Sequence, residues 1–373
     1  MALYQRFKNS FVKKIPIVQQ RLEQLQLEIS ARRYMKSLMA KRELPKLNAA
    51  EIEEAKSYFK SRGYKLKNTY WHRYYKGING EFHKDYMPYD IFNPRINPML
   101  NQRRQWPALL DKNFTYHLFR EFNQPKRIVQ NINGFYYVND KIVDLQKAID
   151  TVRVIKSKLI IKPTIDTGRG KMVNTFSVIN SKTTHKDYSI EKLFRIYGKN
   201  FVVQEFLEQS DVLKALNPSS LNTLRILTYL NNEGVHILSS VLRVGKLGSS
   251  TDNFSTGGLF CGILNNGALK GKGYNPKGDV VTETPTGVSL KDCKIPNFKN
   301  VQEMVKAMHH IVPYFKIIAW DIGLNKDDLP YLIEYNTHKL GVDMQIADGP
   351  LLGNFTDEIL ALALKKPRLS YSY

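Results

Sequence analysis

Residues 317–336 read IIAWDIGLNKDDLPYLIEYN, and the rest of the chain is organised around them. Ile317, Ile318, Ala319 and Trp320 run into Asp321. Lys326, Asp327 and Asp328 supply a polar turn, and Tyr331, Leu332 and Ile333 lead into Glu334. Apolar, β-rich flanks around an Asp-rich turn predict a hairpin. Glu334 and Asn336 are two apart, so on a regular strand they share a face. Asp321 lies thirteen residues before Glu334, on the adjoining strand. Two carboxylates and an amide oxygen converging there make a site for a hard cation, the kind Mg²⁺ occupies while holding a nucleotide's phosphates. The plainer reading is a polar hairpin with solvated ends. Against it, Glu334 interrupts an apolar run, and a carboxylate buried there needs a partner.

The 373 residues, 42% of them hydrophobic, suffice for one large core or two or three small ones. Two cysteines, Cys261 and Cys293, do not make a disulfide framework and point to a reducing compartment. Residues 1–20 are basic but lack the apolar core and cleavage site of a secretory signal. No stretch approaches the roughly 20 apolar residues that a membrane span needs. The expectation is a soluble, cytoplasmic protein. The charge is the unusual feature: 56 basic residues against 34 acidic, a net +22. Of these, 22 basic and 10 acidic residues fall in 1–111, so the excess is denser at that end. Such a field favours a polyanion, an anionic membrane surface or acidic substrates, without choosing among them.

Residues 1–40 read as a helix, with Val18, Leu22, Leu25 and Ile29 at helical spacing and Arg32, Arg33, Lys36, Lys41 and Arg42 following. A basic amphipathic helix can lie peripherally on a membrane, but packing on its own protein or a second subunit is the preferred reading. Asn48-Ala-Ala-Glu51 resembles a capping box, and Gly63 ends the helix that follows. Residues 64–111 read as irregular and rich in Tyr and Trp mixed with basic residues. That mixture suits base stacking, but no nucleic-acid motif accompanies it, so a substrate-side or structural role is preferred to nucleic acid. Further on, the expected elements are a hairpin at Phe135–Val138, a helix near Val143–Arg153, and strands at Leu159–Pro163 and Phe201–Leu207. A second hairpin joins Thr223–Leu230 to Val235–Val244. Gly-rich turns follow at 245–258 and 262–278, then helices at Val301–His310 and near Thr356–Leu364.

Several residues could carry chemistry. Gly168 and Gly170 would let backbone amides approach an anion, with Arg169 and Lys171 adding charge. Neither a Walker loop nor a Rossmann fingerprint is present, so any phosphate grip is of another kind. Arg225 and Arg243 sit on apolar strands, where an arginine is rarely left unpaired. Each has either a structural carboxylate partner or a polyphosphate. The eight histidines show no metal-ligand spacing, and His309-His310 read as structural. No GxSxG elbow appears, and neither cysteine has a catalytic setting.

The order of these elements resembles the ATP-grasp superfamily. It runs from Asp111-Lys112 opening a helix, through Lys162-Pro163 and the glycine loop, to Gln204-Glu205-Phe206-Leu207. Arg225 follows, then Arg243 ten residues before Asn253 with Gly257-Gly258, and finally Asp321, Glu334 and Asn336. The closing D-x12-E-x-N is its most specific part. The catalytic half is similar to ribosomal-protein glutamate ligases. Tyr86-Met-Pro88, Asn97–Asn101, Leu110–Asn113 and NPSSLNTLRI at 217–226 resemble the sugar-transfer-associated ATP-grasp proteins, which are encoded among polysaccharide-building enzymes. The resemblance covers roughly residues 70–360.

The resemblance implies an α+β ATP-grasp fold, with two α+β subdomains clamping ATP between antiparallel sheets. Its parts would be a basic helical extension (1–65), an aromatic-rich substrate-side segment (66–111), a first subdomain with the glycine loop (112–207) and a second with the metal site (208–373). By the same implication Lys112 and Lys162 bind the α- and β-phosphates. The 166–171 loop, with Gly168, Gly170 and Lys171, closes over the triphosphate. The strand at Gln204 and Glu205, with Leu207, meets adenine through backbone groups. Glu208 or Asp211 takes the ribose hydroxyls. Arg225 and Arg243 neutralise the γ-phosphate and the developing acyl phosphate. Asp321, Glu334 and Asn336 hold two Mg²⁺ ions, or Mn²⁺. Asn253, His338 and Gln345 lie where acceptor contacts are expected. Many ligases of this kind have a Pro-Gly turn after the asparagine; Thr337-His-Lys-Leu-Gly341 stands there instead.

The implied activity joins a carboxylate to an amine through an acyl phosphate. Its substrate would be a sugar acid or an amino-acid-bearing glycan precursor of a surface polysaccharide. Two rivals remain. One is a phosphotransferase that passes the γ-phosphate to a sugar hydroxyl. The other is a basic membrane- or polyanion-binding module with a degenerate nucleotide site.

Overall fold

The computed structural model describes residues 2–40, 43–102, 106–165, 171–249, 252, 254, 257–338 and 340–364. Two compact units emerge, one of residues 104–336 and one combining 1–103 with 337–373. The chain after Asn336, read from sequence with the metal-site subdomain, therefore groups with the N-terminal hundred residues.

The 104–336 unit is built on antiparallel sheets. In chain order its strands begin with β1 (Arg127–Ile132), β2 (Phe135–Val138), β3 (Lys141–Val143), β4 (Leu159–Pro163) and β5 (Asn174–Phe176). A separate small hairpin, β6 (Val178–Ile179) and β7 (Lys182–Thr183), precedes β8 (Phe201–Glu205). The first sheet has the order β3-β2-β1-β8-β4-β5. Its apolar face, including Val129, Leu159, Ile161, Phe201 and Val203, packs with Ala148, Ile149, Val152, Leu193 and Phe194 from the helices Leu145–Arg153 and Ile190–Tyr197. Strand β1 and helix Ile190–Tyr197 have no counterpart in the sequence reading.

The second sheet comprises β9 (Thr223–Asn231), β10 (Gly234–Val244), β11 (Leu259–Ile263), β12 (Leu269–Tyr274), β13 (Val280–Val281), β14 (Ile317–Leu324) and β15 (Pro330–Asn336). The order is β13-β12-β11-β10-β9-β14-β15. Residues 262–278, expected as a Gly-rich turn, thus contain strand β12. The β9–β10 hairpin turns where expected, with Gly234 at φ +128°, a value that disfavours a side chain. The β14–β15 turn is an Asx turn: Asn325 Oδ1 accepts from the amides of Asp327 (3.0 Å) and Leu329 (2.8 Å).

Alternation sets the two faces of this sheet. Leu224, Ile226, Leu242, Ile318, Trp320 and Ile322 form one core with Val301, Val305 and Met308 of the helix Phe298–Ile311. Arg225, Arg243 and Asp321 interleave with them and so point to the opposite face. In β15 strict alternation fails. Asp321 pairs with Glu334, but Ile322 pairs with Leu332, so Ile333 is an extra residue in a β-bulge. The bulge places Leu332 in the core beside Ile322 and Glu334 on the other face beside Asp321, although the two residues are only two apart.

The other unit is helical. Helix Ala2–Ala40 buries Glu28, Ala31 and Met35, while Val18, Leu22, Leu25 and Ile29 are exposed. Asn48 forms the expected capping box with Glu51 at the start of helix Ala49–Ser61. Residues 64–111, expected to be irregular, instead carry helix Tyr70–Asn79 and the short helical turns Tyr89–Leu100. Trp71, Tyr74, Tyr75 and Ile78 recur at helical spacing and are buried, as are Tyr86 and Phe92. These aromatic residues are core rather than stacking platforms, whereas Tyr70 is exposed. Among the described residues no helix is long and apolar enough to cross a membrane.

Candidate active site

Asp321 is the hub of the polar face of the second sheet. It stands directly between Arg225 on β9 and Glu334 on β15. Arg225 grips it in a fork, Nε to Oδ1 at 2.8 Å and a terminal nitrogen to Oδ2 at 2.6 Å. Arg243 adds a bond to Oδ2 at 2.9 Å and donates to Asp252 Oδ1 at 2.8 Å. Asp252 also accepts from the Thr223 hydroxyl. Burial alone would raise the Asp321 carboxyl; the two guanidiniums outweigh it and hold the acid below its ordinary range. Asp252 goes the other way: burial dominates and raises it despite Arg243. The structural partners that an arginine on an apolar strand requires are therefore Asp321 for both and Asp252 for Arg243. Asp252 was missed from sequence. Its only signal was that Arg243 needed an acid and that Asp252 stands nine residues on.

Lys112 and Lys162 meet Glu334 in a cleft that the two sheets share, also lined by Gln204, Arg127 and Gln124. Lys112 Nζ lies 3.1 Å from Glu334 Oε1. Its helix, Lys112–Leu118, is capped by Asp111, whose side chain accepts the Asn113 amide at 2.9 Å. The Asn113 side chain then ties the helix to the first sheet through Thr164 Oγ1 (3.0 Å) and the Asn131 carbonyl (3.2 Å). The Asp-Lys-Asn run is thus a cap, a cation and a tether in succession. Lys162 leaves β4 into the same cleft. Burial, reinforced by the Lys112 charge, lowers its ammonium to about 8, with Glu334 pulling the other way. Arg127, which sequence reading did not single out, lies over the Tyr116 ring at 3.6 Å and pairs with Asp140 at 2.9 Å.

The remaining candidates separate. Gln204 and Glu205 are on β8, with Gln204 in the cleft. The Glu205 amide already donates to the Lys126 carbonyl at 2.9 Å, so any contribution of Glu205 to a base falls to its carbonyl. Leu207 packs toward Gly323. Glu208 and Asp211 are both exposed beyond β8, and Lys171 is exposed. Gly168, Gly170 and Asn253 lie outside the described residues. His338, half-buried, belongs to the helical unit. Gln345, expected from sequence at the acceptor site, is placed elsewhere. It is fully buried in that unit, and its amide is spent on backbone: Oε1 accepts from Met87 N (2.7 Å) and Leu351 N (3.1 Å), while Nε2 donates to Met87 O (3.0 Å) and Val342 O (3.1 Å). Nothing of it remains for a substrate.

The three proposed metal ligands are not equivalent. Glu334, its side chain 36% exposed rather than buried, is open to a cation. The Asn336 amide nitrogen is buried without a partner among the described residues, and rotating that amide would put an oxygen in its place. Asp321 is first the counter-charge of two arginines; three of its roughly four acceptor positions are taken. Among the described residues no cluster of three His, Cys, Asp or Glu could hold a metal, so Asn336 is needed to complete a set. With that amide turned, Glu334, Asn336 and the remaining lone pair of Asp321 would offer oxygen donors only, the chemistry that Mg²⁺ prefers.

Against known proteins, residues 91–360 match the family model for sugar-transfer associated ATP-grasp proteins. The chain belongs to this family. Its fold, α+β with antiparallel sheets, is the ATP-grasp fold. No curated protein matches it in sequence. Among solved structures it is similar to an L-amino acid ligase from Bacillus licheniformis (15% identity, TM-score 0.40, covering 69% of this chain and 48% of that one). It is also similar to the ATP-grasp ligase PsnB with minimal precursor, Mg and ADP (12%, 0.39, 71% and 62%). A third is N5-carboxyaminoimidazole synthetase from Staphylococcus aureus with ADP (12%, 0.36, 62% and 45%). The ATP-grasp chain thus spans about half to three-fifths of those structures, and likenesses at these scores carry no argument about substrate.

Proposed function

We propose that this ATP-grasp protein is an ATP- and Mg²⁺-dependent carboxylate–amine ligase working through an acyl phosphate. One observation carries the reading. Arg225, Asp321 and Glu334 stand side by side on one sheet face, with Lys112 against Glu334 and Lys162 in the same cleft. Such a row suits a reaction whose demand is to offset phosphate charge and hold reactants in line. A free carboxylate is a poor electrophile, and an amine does not displace its oxygen. Transfer of the γ-phosphoryl group to that oxygen, with release of ADP, makes it a good leaving group. The amine then attacks the acyl carbon, the C–N bond forms, and phosphate departs.

In this reading Lys112 and Lys162 bind the phosphates from the first-sheet side of the cleft, across from Glu334 on the second sheet. Arg225, with 20% of its side chain exposed, meets the transferring group; Arg243, with 7%, acts with Asp252 to hold Asp321. Asp321 orients both guanidiniums. Glu334 and Asn336 would hold Mg²⁺, which supplies charge neutralisation for the triphosphate. The family's association with sugar transfer supports a sugar acid or an amino-acid-bearing glycan precursor as the carboxylate.

The test is substrate-dependent turnover. ADP and free phosphate form only when carboxylate and amine are both present, and hydroxylamine traps a hydroxamate from the carboxylate alone. Glu334→Gln abolishes both signals while the protein stays folded. A stable phosphoester with no free phosphate would make the protein a kinase instead, and full activity in Glu334→Gln would remove the assignment.

A further inference from the structure

The helix Ala2–Ala40 holds an apolar row that the rest of the fold does not use. Val18, Leu22, Leu25 and Ile29, spaced four, three and four apart, are 54%, 56%, 50% and 39% exposed. At about 100° per residue they fall within an arc of roughly 60°. The helix docks on its own unit through another side, where Glu28, Ala31 and Met35 are buried and Glu28 pairs with Arg95 at 2.9 Å. The apolar row is therefore presented outward. Its borders are cationic. Arg21 and Arg32 fall on one side of it and Arg33 on the other, and Lys36 lies in line beyond Ile29; Arg21, Arg33 and Lys36 are exposed. Of the two acids in this helix, Glu28 is turned to the body and held by Arg95, Lys67 and Arg32, and Glu23 falls by its position about 100° beyond the edge of the row. In sequence the same spacing runs back through Ile15, Phe11 and Phe7, with Lys14 and Lys8 beside it.

We propose that this face docks on an anionic lipid surface. Apolar residues entering the acyl boundary between flanking cations are what such an interface requires, and each cation near it adds to the attraction. Charge decides against a second copy of the chain. Two copies of a +22 protein meeting along this row would set like charges together, with Lys36 on the seam itself and Arg32 at its edge. Attachment here would hold the enzyme beside substrates carried on a membrane surface. It does not depend on the ligase reading.

The experiment is sedimentation of the full chain with vesicles of equal parts phosphatidylglycerol and phosphatidylcholine, and with phosphatidylcholine alone. The protein sediments with the anionic vesicles, stays in solution with the neutral ones, and is released by high salt. The variant Leu22→Glu/Leu25→Glu binds about tenfold more weakly or worse, because two half-exposed leucines no longer insert. It keeps the parent's melting temperature, since neither residue is packed. No binding to anionic vesicles, or binding unchanged in the variant, overturns the proposal. So does a dimer in analytical ultracentrifugation that the same variant dissolves, for then the row is a self-association surface.

Discussion

Replacing Asp321 by Asn removes the shared counter-charge of two guanidiniums and should damage the fold as well as the chemistry. Arg225 directs both of its described hydrogen bonds to Asp321, and the Asp321 side chain is 6% exposed. Arg243, 7% exposed, keeps Asp252. The variant therefore strands chiefly the Arg225 charge in a mostly dry site. Removing one member of a buried pair costs about 3–5 kcal/mol. For a domain of roughly 150–250 residues, each kcal/mol shifts the melting temperature by about 2–4 °C, so a drop on the order of 6–20 °C follows. Glu334→Gln is the control. Its carboxylate is 36% exposed and, among the described residues, makes its ion pair with Lys112, an arrangement worth about 1 kcal/mol or less. Both variants lose turnover, and only Asp321→Asn loses stability. Thermal melts and urea titrations of the two, in the same buffer, read the difference. Equal stability in both variants would refute the account of Asp321 as an electrostatic hub.

Two further outcomes are expected. Lys162 is held at about 8, below its ordinary value, so its folded form binds fewer protons than the unfolded chain between about 8 and 10.5. Stability then rises with pH across that window, and the cost of burying the charge is fully present below it. A bound polyphosphate should favour the charged form, so calorimetry near pH 8 in buffers of different ionisation enthalpy should show proton uptake on binding ATP. Lys162→Met abolishes that uptake; uptake unchanged in the variant would place Lys162 outside the phosphate site. Gln345→Leu leaves the Met87, Val342 and Leu351 backbone groups orphaned and loses on the order of 3 kcal/mol. A substrate-specific rise in KM with no loss of stability would instead return Gln345 to the acceptor site.

Much of this protein was decided by local sequence. The β14–β15 and β9–β10 hairpins, the Asn48–Glu51 capping box and the helix Thr356–Leu364 follow from periodicity and turn chemistry, which act over a few residues. Tertiary structure decided what depends on partners far apart in the chain. Asp252 closes on Arg243, Lys112 reaches Glu334 across more than 200 residues, and the Gln345 side chain finds the backbone of Met87 rather than a ligand. Long-range packing also gave the aromatic stretch its helix and settled the part played by Trp71, Tyr74 and Tyr75, which burial makes core, in line with the structural role preferred from sequence. The sharpest case is β15. Strand period two would put Leu332 and Glu334 on one face, so one of them would be misplaced. One extra residue, Ile333, corrects this: it sends Leu332 to the core and Glu334 to the cleft. A bulge is a property of the pairing between two strands, set by which residues of the neighbour they meet, and no single strand's alternation encodes it.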